Sequence, residues 1–210
     1  MGTGKIDSEG VRNIILDLGG VILELDVKAT IMAFHKLGFP RLETAEMILS
    51  KHPFFYDFET GKMSAKNFIE KIMEISGHHT SPEEILDAWN AMLLGYRKDS
   101  IERVLELGRK YRLFLLSNTN EIHEVHYNRQ LKAGHEIENL DRIFEKVYYS
   151  HRLKMAKPDP EIFRYVLRDS RLLPEESLYV DDTLVNVETA RSLGIRAYHL
   201  VAPERIKDIL

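Results

Sequence analysis

The stretch "IILDLGGVIL", residues 14–23, decides how this chain is read. Three apolar residues lead into Asp17, two glycines follow, and the chain then turns apolar again. A short apolar run of this kind fits a strand buried on both faces of a parallel sheet, with the acid at its end. Gly19 and Gly20 let the backbone turn sharply and approach a ligand with no Cβ in the way. Alone, an acid followed by two glycines is ordinary turn chemistry, so its companions decide.

Four further runs have the same character: "RLFLLS" (112–117), "KVYYS" (146–150), "SLYVD" (177–181) and "RAYHLV" (196–201). Helical patterns fill the gaps. "DSIERVLELGRKY" (99–111) places Ile101, Val104, Leu105 and Gly108 on one face, and "NVETARSLG" (186–194) closes on a terminating glycine. "DPEIFRYVLRD" (159–169) opens with Asp159 as N-cap and Pro160 at the first helical position, with Ile162, Phe163, Val166 and Leu167 as its apolar stripe. Strands alternating with helices imply right-handed crossovers and an open α/β sheet. Residues 27–95 break the rhythm, with no convincing strand and at least three helical stretches: Asp26 to Gly38, the segment after Ser64, and "SPEEILDAWNAMLLG" (81–95) with a capping box at Ser81 and Glu84. The expected division is a core of residues 1–26 and 96–210 and an inserted helical cap of residues 27–95.

Composition narrows the classes. The 210 residues carry a net charge of −4, with Lys and Arg scattered among acids, which argues against a general nucleic-acid binder. With no cysteine, disulfides, thiolate zinc sites and cysteine nucleophiles are excluded. The polar start "MGTGKIDSEG" lacks the apolar core of a signal peptide, and no apolar stretch approaches the roughly 20 residues a bilayer span requires. The expectation is a cytoplasmic protein without membrane or nucleic-acid partners, either monomer or homodimer.

Ligands of open parallel sheets bind outside the carboxyl ends of the strands. Asp17, Ser117-Asn118 and Asp181-Asp182 stand at three such ends, and Lys157 lies in the loop before the helix at 159–169. Carboxylates gathered at one edge repel one another unless a cation neutralises them, and an oxygen-only ligand set selects Mg²⁺. Beside such a metal Asp17 is a feasible nucleophile toward phosphorus. The Ser117 hydroxyl, nearby main-chain N–H groups and the Lys157 ammonium could supply the donors a phosphate dianion needs.

With these stretches, "IILDLGGVILELD", "LLSNTN", "LKMAKPDPEIF" and "LYVDDTLVNVETARSLG", the chain resembles the haloacid dehalogenase superfamily of hydrolases with a type-1 helical cap. It is most similar to the branch that includes α-glucose-1-phosphate phosphatase and the phosphatase domain of epoxide hydrolase. "FETGKMSAKNF" (58–68) resembles a cap segment of that branch. The resemblance implies a Rossmann-like core and a Mg²⁺-dependent phosphatase acting on a small phosphorylated metabolite, such as a sugar phosphate. In it Asp17 is the nucleophile and a metal ligand, Ser117 and Asn118 bind the transferring phosphate, and Lys157 neutralises it and orients Asp17. Asp182 ligates the metal directly and Asp181 through water, although spacing alone leaves that order open. The departure from the superfamily pattern is Gly19, where most of its phosphatases carry an aspartate that serves as general acid. A glycine still offers its backbone carbonyl to the metal, but the proton donor is lost. A dehalogenase, or a phosphate-binding domain without turnover, are the alternatives.

Other residues have plainer readings. Lys154 rivals Lys157, but the "Lys-Pro-Asp-Pro" context favours Lys157. His123 and His126 lie one helical turn apart beside Glu121 and Glu124, a spacing that could bind a transition metal. With no third ligand evident, a solvated or substrate-facing loop is expected there. Phe54, Phe55, Tyr56 and Trp89 are expected in the cap's own core, the alternative being that one or two line the substrate pocket.

Overall fold

The structure, a computed structural model, describes residues 6, 8–39, 53–76 and 79–210. Within these, the strands are β1 (Asn13–Leu16), β2 (Leu23–Leu25), β3 (Leu93–Tyr96), β4 (Arg112–Ser117), β5 (Lys146–Tyr149), β6 (Ser177–Asp181) and β7 (Arg196–His199). The helices are α1 (Val27–Lys36), α2 (Phe54–Glu59), α3 (Ala65–Ile75), α4 (Pro82–Asn90), α5 (Lys98–Leu107), α6 (Glu121–His135), α7 (Ser150–Leu153), α8 (Pro160–Asp169), α9 (Leu184–Ser192) and α10 (Ile206–Ile209). Among the described residues no helix is long and apolar enough to cross a membrane.

All five expected core strands form, and they pair in parallel in the order β5-β4-β1-β6-β7. Side chains alternate across a strand, so each of these apolar runs serves two layers. Ile14, Leu16, Leu113, Leu115, Leu178 and Val180 pack toward Ile101, Val104 and Leu107 of α5 and Tyr127 and Leu131 of α6. Their neighbours Ile15, Phe114, Leu116 and Tyr179 pack toward Ile162, Phe163 and Val166 of α8 and Ala190 of α9. Helix α8 begins as expected, with the Asp159 side chain accepting from the Glu161 N–H and Pro160 in the first turn. On α5 the buried face differs from expectation: Ile101, Val104 and Leu107 follow one another at three-residue spacing on the core side, and Leu105, off that stripe, is 40% exposed. Strand β1 lies between β4 and β6, so the chain departs from it to opposite sides, and the crevice above this switch point opens over Asp17.

Helices α1 to α4 enclose a third apolar cluster of Phe34, Phe55, Phe58, Phe68, Ile85 and Trp89, completed by Ile122 of α6. Phe58 stacks on Phe68 at 4.1 Å and Phe55 on Trp89 at 5.5 Å. Phe55 and Trp89 therefore belong to this helical core, whereas Tyr56 is 46% exposed. Residues 40–52 and 77–78 of the expected cap lie outside the described residues. Two expectations for this region fail. The helix that starts at Ser81, with both halves of its capping box, stops at Asn90 rather than at Gly95. The following "LLGY" is strand β3, which pairs antiparallel with β2, so residues 27–95 do contain strand. Gly95 sits at φ +107° and Met92 binds Asp26 and Thr30 through its main chain, long-range contacts that a local helical pattern cannot register.

Between α2 and α3 the chain rests against α7. The Ser150 hydroxyl lies 2.7 Å from the Glu59 carbonyl and accepts the Thr119 N–H at 2.9 Å. Gly61 has φ +65°, and a Cβ there would stand 1.9 Å from the His151 carbonyl oxygen. Gly61→Ala is expected to lower stability by on the order of 1–3 kcal/mol from the backbone conformation alone, with the collision adding to it. Chemical denaturation of the two proteins measures the difference; equal midpoints would contradict this seating.

Candidate active site

Asp17 follows the last residue of β1, with its N–H donated to the Val180 carbonyl of β6 at 2.9 Å. Ser117 ends β4 and Asp181 ends β6, so the parallel register brings all three to one edge. Lys157 reaches them from the loop before α8. Its buried ammonium donates to Asp17 Oδ1 and to Asp181 Oδ2, both at 2.7 Å. Lys154, the rival in sequence, is exposed and stands at φ +57°.

The Asn118 side chain is committed to Lys157 rather than to the cleft. Its amide nitrogen donates to the Lys157 carbonyl at 2.8 Å and its oxygen accepts the Lys157 N–H at 2.9 Å. Ser117 and Asn118 both border a cavity of about 380 Å³ shared with Asp17, Gly19, Lys157 and Asp182.

The two adjacent acids are in unlike surroundings. Asp181 is fully buried, and donors surround it: the Thr183 N–H at 2.7 Å on Oδ1, Lys157 and the Tyr179 hydroxyl on Oδ2, and the Asn186 amide within 3.2 and 3.1 Å of the two oxygens. Asp182 is exposed and receives the Thr183 hydroxyl at 3.1 Å. A Cβ on Gly20, which has φ +70°, would stand 2.2 Å from Asp182 Oδ2, so only glycine fits beside that carboxylate. Oxygens of Asp17, Asp181 and Asp182 come within 4.8 Å of one another, a grouping suited to a hard cation.

Charge is unevenly tolerated here. Burial pushes the Asp17 carboxyl up to about 7; Lys157 pulls against this, and Asp181 and Asp182 add to it. Burial, with Asp181 beside it, also raises Asp182. Burial opposes charge on Asp181 and Lys157 as well, yet Lys157 holds Asp181 below its ordinary range, and Asp17 together with Asp181 holds the ammonium above its own. Lys157 is thus paired with both acids, and of the two it is Asp17 whose ionisation burial resists.

Neither Tyr179 nor Asn186 was assigned a role from the sequence, though both hold Asp181. Strand period provides a signal for the first, since a residue two before a strand-end acid shares its face. The histidines differ from expectation. His123 is buried in α6 rather than solvated, stacked on Trp89 at 5.1 Å, with Nε2 against the Trp89 carbonyl at 3.0 Å and Nδ1 against the Asn120 amide at 3.2 Å. Both ring nitrogens are engaged, and burial lowers the imidazole to about 4, so it is a neutral structural group.

Asp17 yields a stability prediction with a definite sign. Its pKa of about 7 in the fold exceeds the ordinary 3.8, so the metal-free native state holds that proton more tightly than the unfolded chain does. Its stabilising contribution is complete below pH 3.8 and lost as pH rises to about 7. The Tm of the metal-free protein is expected to fall over that interval, and Asp17→Asn to flatten the fall; parallel curves for the two proteins would contradict the buried charge.

The model of the haloacid dehalogenase-like hydrolase family matches residues 14–200. The chain is 31% identical over 188 residues to the D-ribitol-5-phosphate phosphatase of Bacteroides thetaiotaomicron, covering 90% of this chain and 91% of that one. A haloacid dehalogenase family enzyme from the same organism, solved with magnesium and inorganic phosphate, superposes with a TM-score of 0.81 at 34% identity over 93% of this chain and 97% of that one. A dehalogenase structure at 19% identity and a TM-score of 0.59, covering 93% of this chain and 86% of that one, shares the fold alone. With its acids gathered at the switch point of a parallel sheet and its whole core matched, this chain belongs to the haloacid dehalogenase-like hydrolase family.

Proposed function

We propose that the chain is a Mg²⁺-dependent phosphatase of small phosphorylated sugars or sugar alcohols, acting through an aspartyl-phosphate at Asp17 in the cytoplasm. The observation that carries this reading is the Lys157 ammonium clamped between Asp17 and Asp181 at the foot of a cavity that Asp182 and Ser117 also border. The relatives support it, since one is a ribitol-phosphate phosphatase and another was solved with magnesium and phosphate.

The donor set fits the metal. Asp181 has its oxygens saturated by protein donors, whereas Asp182 is exposed and Asp17 is the acid whose ionisation burial resists. Asp17, Asp182 and the Gly19 carbonyl would therefore hold Mg²⁺, with Asp181 positioning Lys157. When bound, the metal supplies the positive charge that lets Asp17 ionise and that neutralises the phosphoryl oxygens. Lys157 keeps the Asp17 carboxylate aimed into the cavity and offers its charge to the phosphate. Ser117 and Asn118 border the same space, where the hydroxyl and the Asn118 main-chain N–H would act as donors to the phosphate, while the Asn118 side chain fixes the backbone of Lys157. The aromatic cluster of α1 to α4 stands as a separate packing unit, which supports residues 27–95 as a cap over the cleft, less the strand that pairs with β2.

The direct test is phosphate release from phosphorylated sugars and sugar alcohols, with Mg²⁺ and with chelator. Release is expected to require the metal and to be abolished in Asp17→Asn; release that survives either change contradicts the proposal. Gly20→Ala is expected to displace Asp182 and weaken Mg²⁺ binding by tenfold or more, about 1.4 kcal/mol, as read by calorimetry. Unchanged Mg²⁺ affinity would remove Asp182 from the metal site.

A further inference from the structure

Strand β6 serves two layers in alternation. Leu178 and Val180 pack toward α5 and α6, whereas Tyr179 packs toward α8 and α9 and shares its face with Asp181, two residues on. Tyr179 is fully buried, and its ring meets Phe163 of α8 edge-on at 5.3 Å. A phenylalanine would fill this apolar layer as well. The tyrosine adds a hydroxyl that needs a partner once buried, and the partner it has is the Asp181 carboxylate.

The oxygen it uses is the informative detail. The hydroxyl donates to Asp181 Oδ2, and so does the Lys157 ammonium, at 2.7 Å. The same ammonium lies over the Tyr179 ring, 5.7 Å from its centre. One side chain therefore touches both halves of the ion pair, with its hydroxyl on the anion and its ring face toward the cation. Burial and the charge of Asp181 push loss of the hydroxyl proton well above the ordinary tyrosine range, so the group stays a donor.

These contacts bear on how one positive charge is divided between two acids. Lys157 donates to Asp17 Oδ1 and to Asp181 Oδ2 at the same 2.7 Å. Each neutral donor on Asp181 stabilises its negative charge and lessens the pull it exerts on the ammonium. The Thr183 N–H does this at Oδ1 and the Asn186 amide at both oxygens. The Tyr179 hydroxyl does it at Oδ2, in direct competition with Lys157.

We propose that Tyr179 is a positioning residue for the reaction: by sharing the Asp181 oxygen that Lys157 uses, it leaves the ammonium free to anchor Asp17 and to meet the phosphate. It acts through Asp181 and Lys157, and its effect on rate rests on the phosphatase reading. With the hydroxyl gone, Oδ2 claims more of the ammonium, Lys157 is drawn toward Asp181, and the Asp17 carboxylate loses part of its anchor. The plainer role is a buried hydroxyl that merely takes the nearest acceptor. Its removal would then cost stability and leave the division of charge as it is.

Tyr179→Phe separates the two, because it keeps the ring and removes only the hydroxyl. The first measurement needs no turnover: NMR scalar couplings across the hydrogen bonds from the Lys157 nitrogen to the carboxyl carbons of Asp17 and Asp181, in metal-free protein at alkaline pH. The coupling to Asp17 is expected to weaken in the variant and that to Asp181 to strengthen; an unchanged ratio would overturn the proposal. The second is steady-state kinetics with Mg²⁺ and a sugar-alcohol phosphate. Tyr179→Phe is expected to lower kcat about tenfold, the scale of one hydrogen bond to a charged group, and to leave KM and Mg²⁺ affinity unchanged. In an Asp181→Asn background, where no full charge remains for the hydroxyl to stabilise, the same change is expected to cost little. Equal losses of kcat in both backgrounds, or a lower Tm with kcat intact, would make Tyr179 a packing residue. A wild-type protein that hydrolyses no phosphomonoester would defeat the phosphatase reading instead, and the couplings would still decide whether Tyr179 divides the charge.

Discussion

One buried ammonium bridging two buried carboxylates is the constraint on which this site depends. Lys157 bonds Asp17 and Asp181 at 2.7 Å each, and removing it would leave two negative charges facing each other away from water. Much of the neighbourhood serves to keep it there. The Asn118 amide grips its main chain, Tyr179 and Asn186 hold Asp181 in reach, and the parallel register fixes the distance between the ends of β1 and β6. Even so one ammonium cannot balance Asp17, Asp181 and Asp182 together. The residual negative charge falls on Asp17 and Asp182, the two with raised pKa, and a divalent cation is the physical remedy.

The helical region is coupled to this edge by polar contacts at its own core. The Trp89 indole donates to Asn120 at 3.2 Å, and the Trp89 carbonyl meets His123. Asn120 also caps α6 by accepting the His123 N–H at 3.0 Å, three residues after Ser117. On the opposite flank Ser150 links Glu59 to Thr119. The loop that presents Ser117 is therefore gripped from two sides by groups belonging to, or touching, the aromatic cluster.

Much of this was legible in the sequence, for physical reasons. Strands buried on both faces announce themselves as short apolar runs, and Asp159-Pro160 and Ser81 mark helix starts by local hydrogen bonding alone. Asp17, Ser117, Lys157, Asp181 and Asp182 could be placed at one edge because strand ends are where apolar runs stop. What escaped depended on distant partners. Strand β3 exists because β2 pairs with it, His123 is buried because Trp89 stacks on it, and the Asn118 side chain turns from the cleft because Lys157 claims it. Gly19 and Gly20 look equivalent in sequence, yet only Gly20 stands at a positive φ, at +70° beside Asp182, whereas a Cβ on Gly19 would meet only the Leu25 side chain.

Asp17 as a covalent nucleophile is the central claim, and rapid acid quench during turnover with Mg²⁺ tests it most directly. Mass analysis should find one phosphoryl group on the peptide containing Asp17, labile to hydroxylamine and absent in Asp17→Asn. Phosphate release with no such adduct, in a mixture quenched before the first turnover completes, would contradict it.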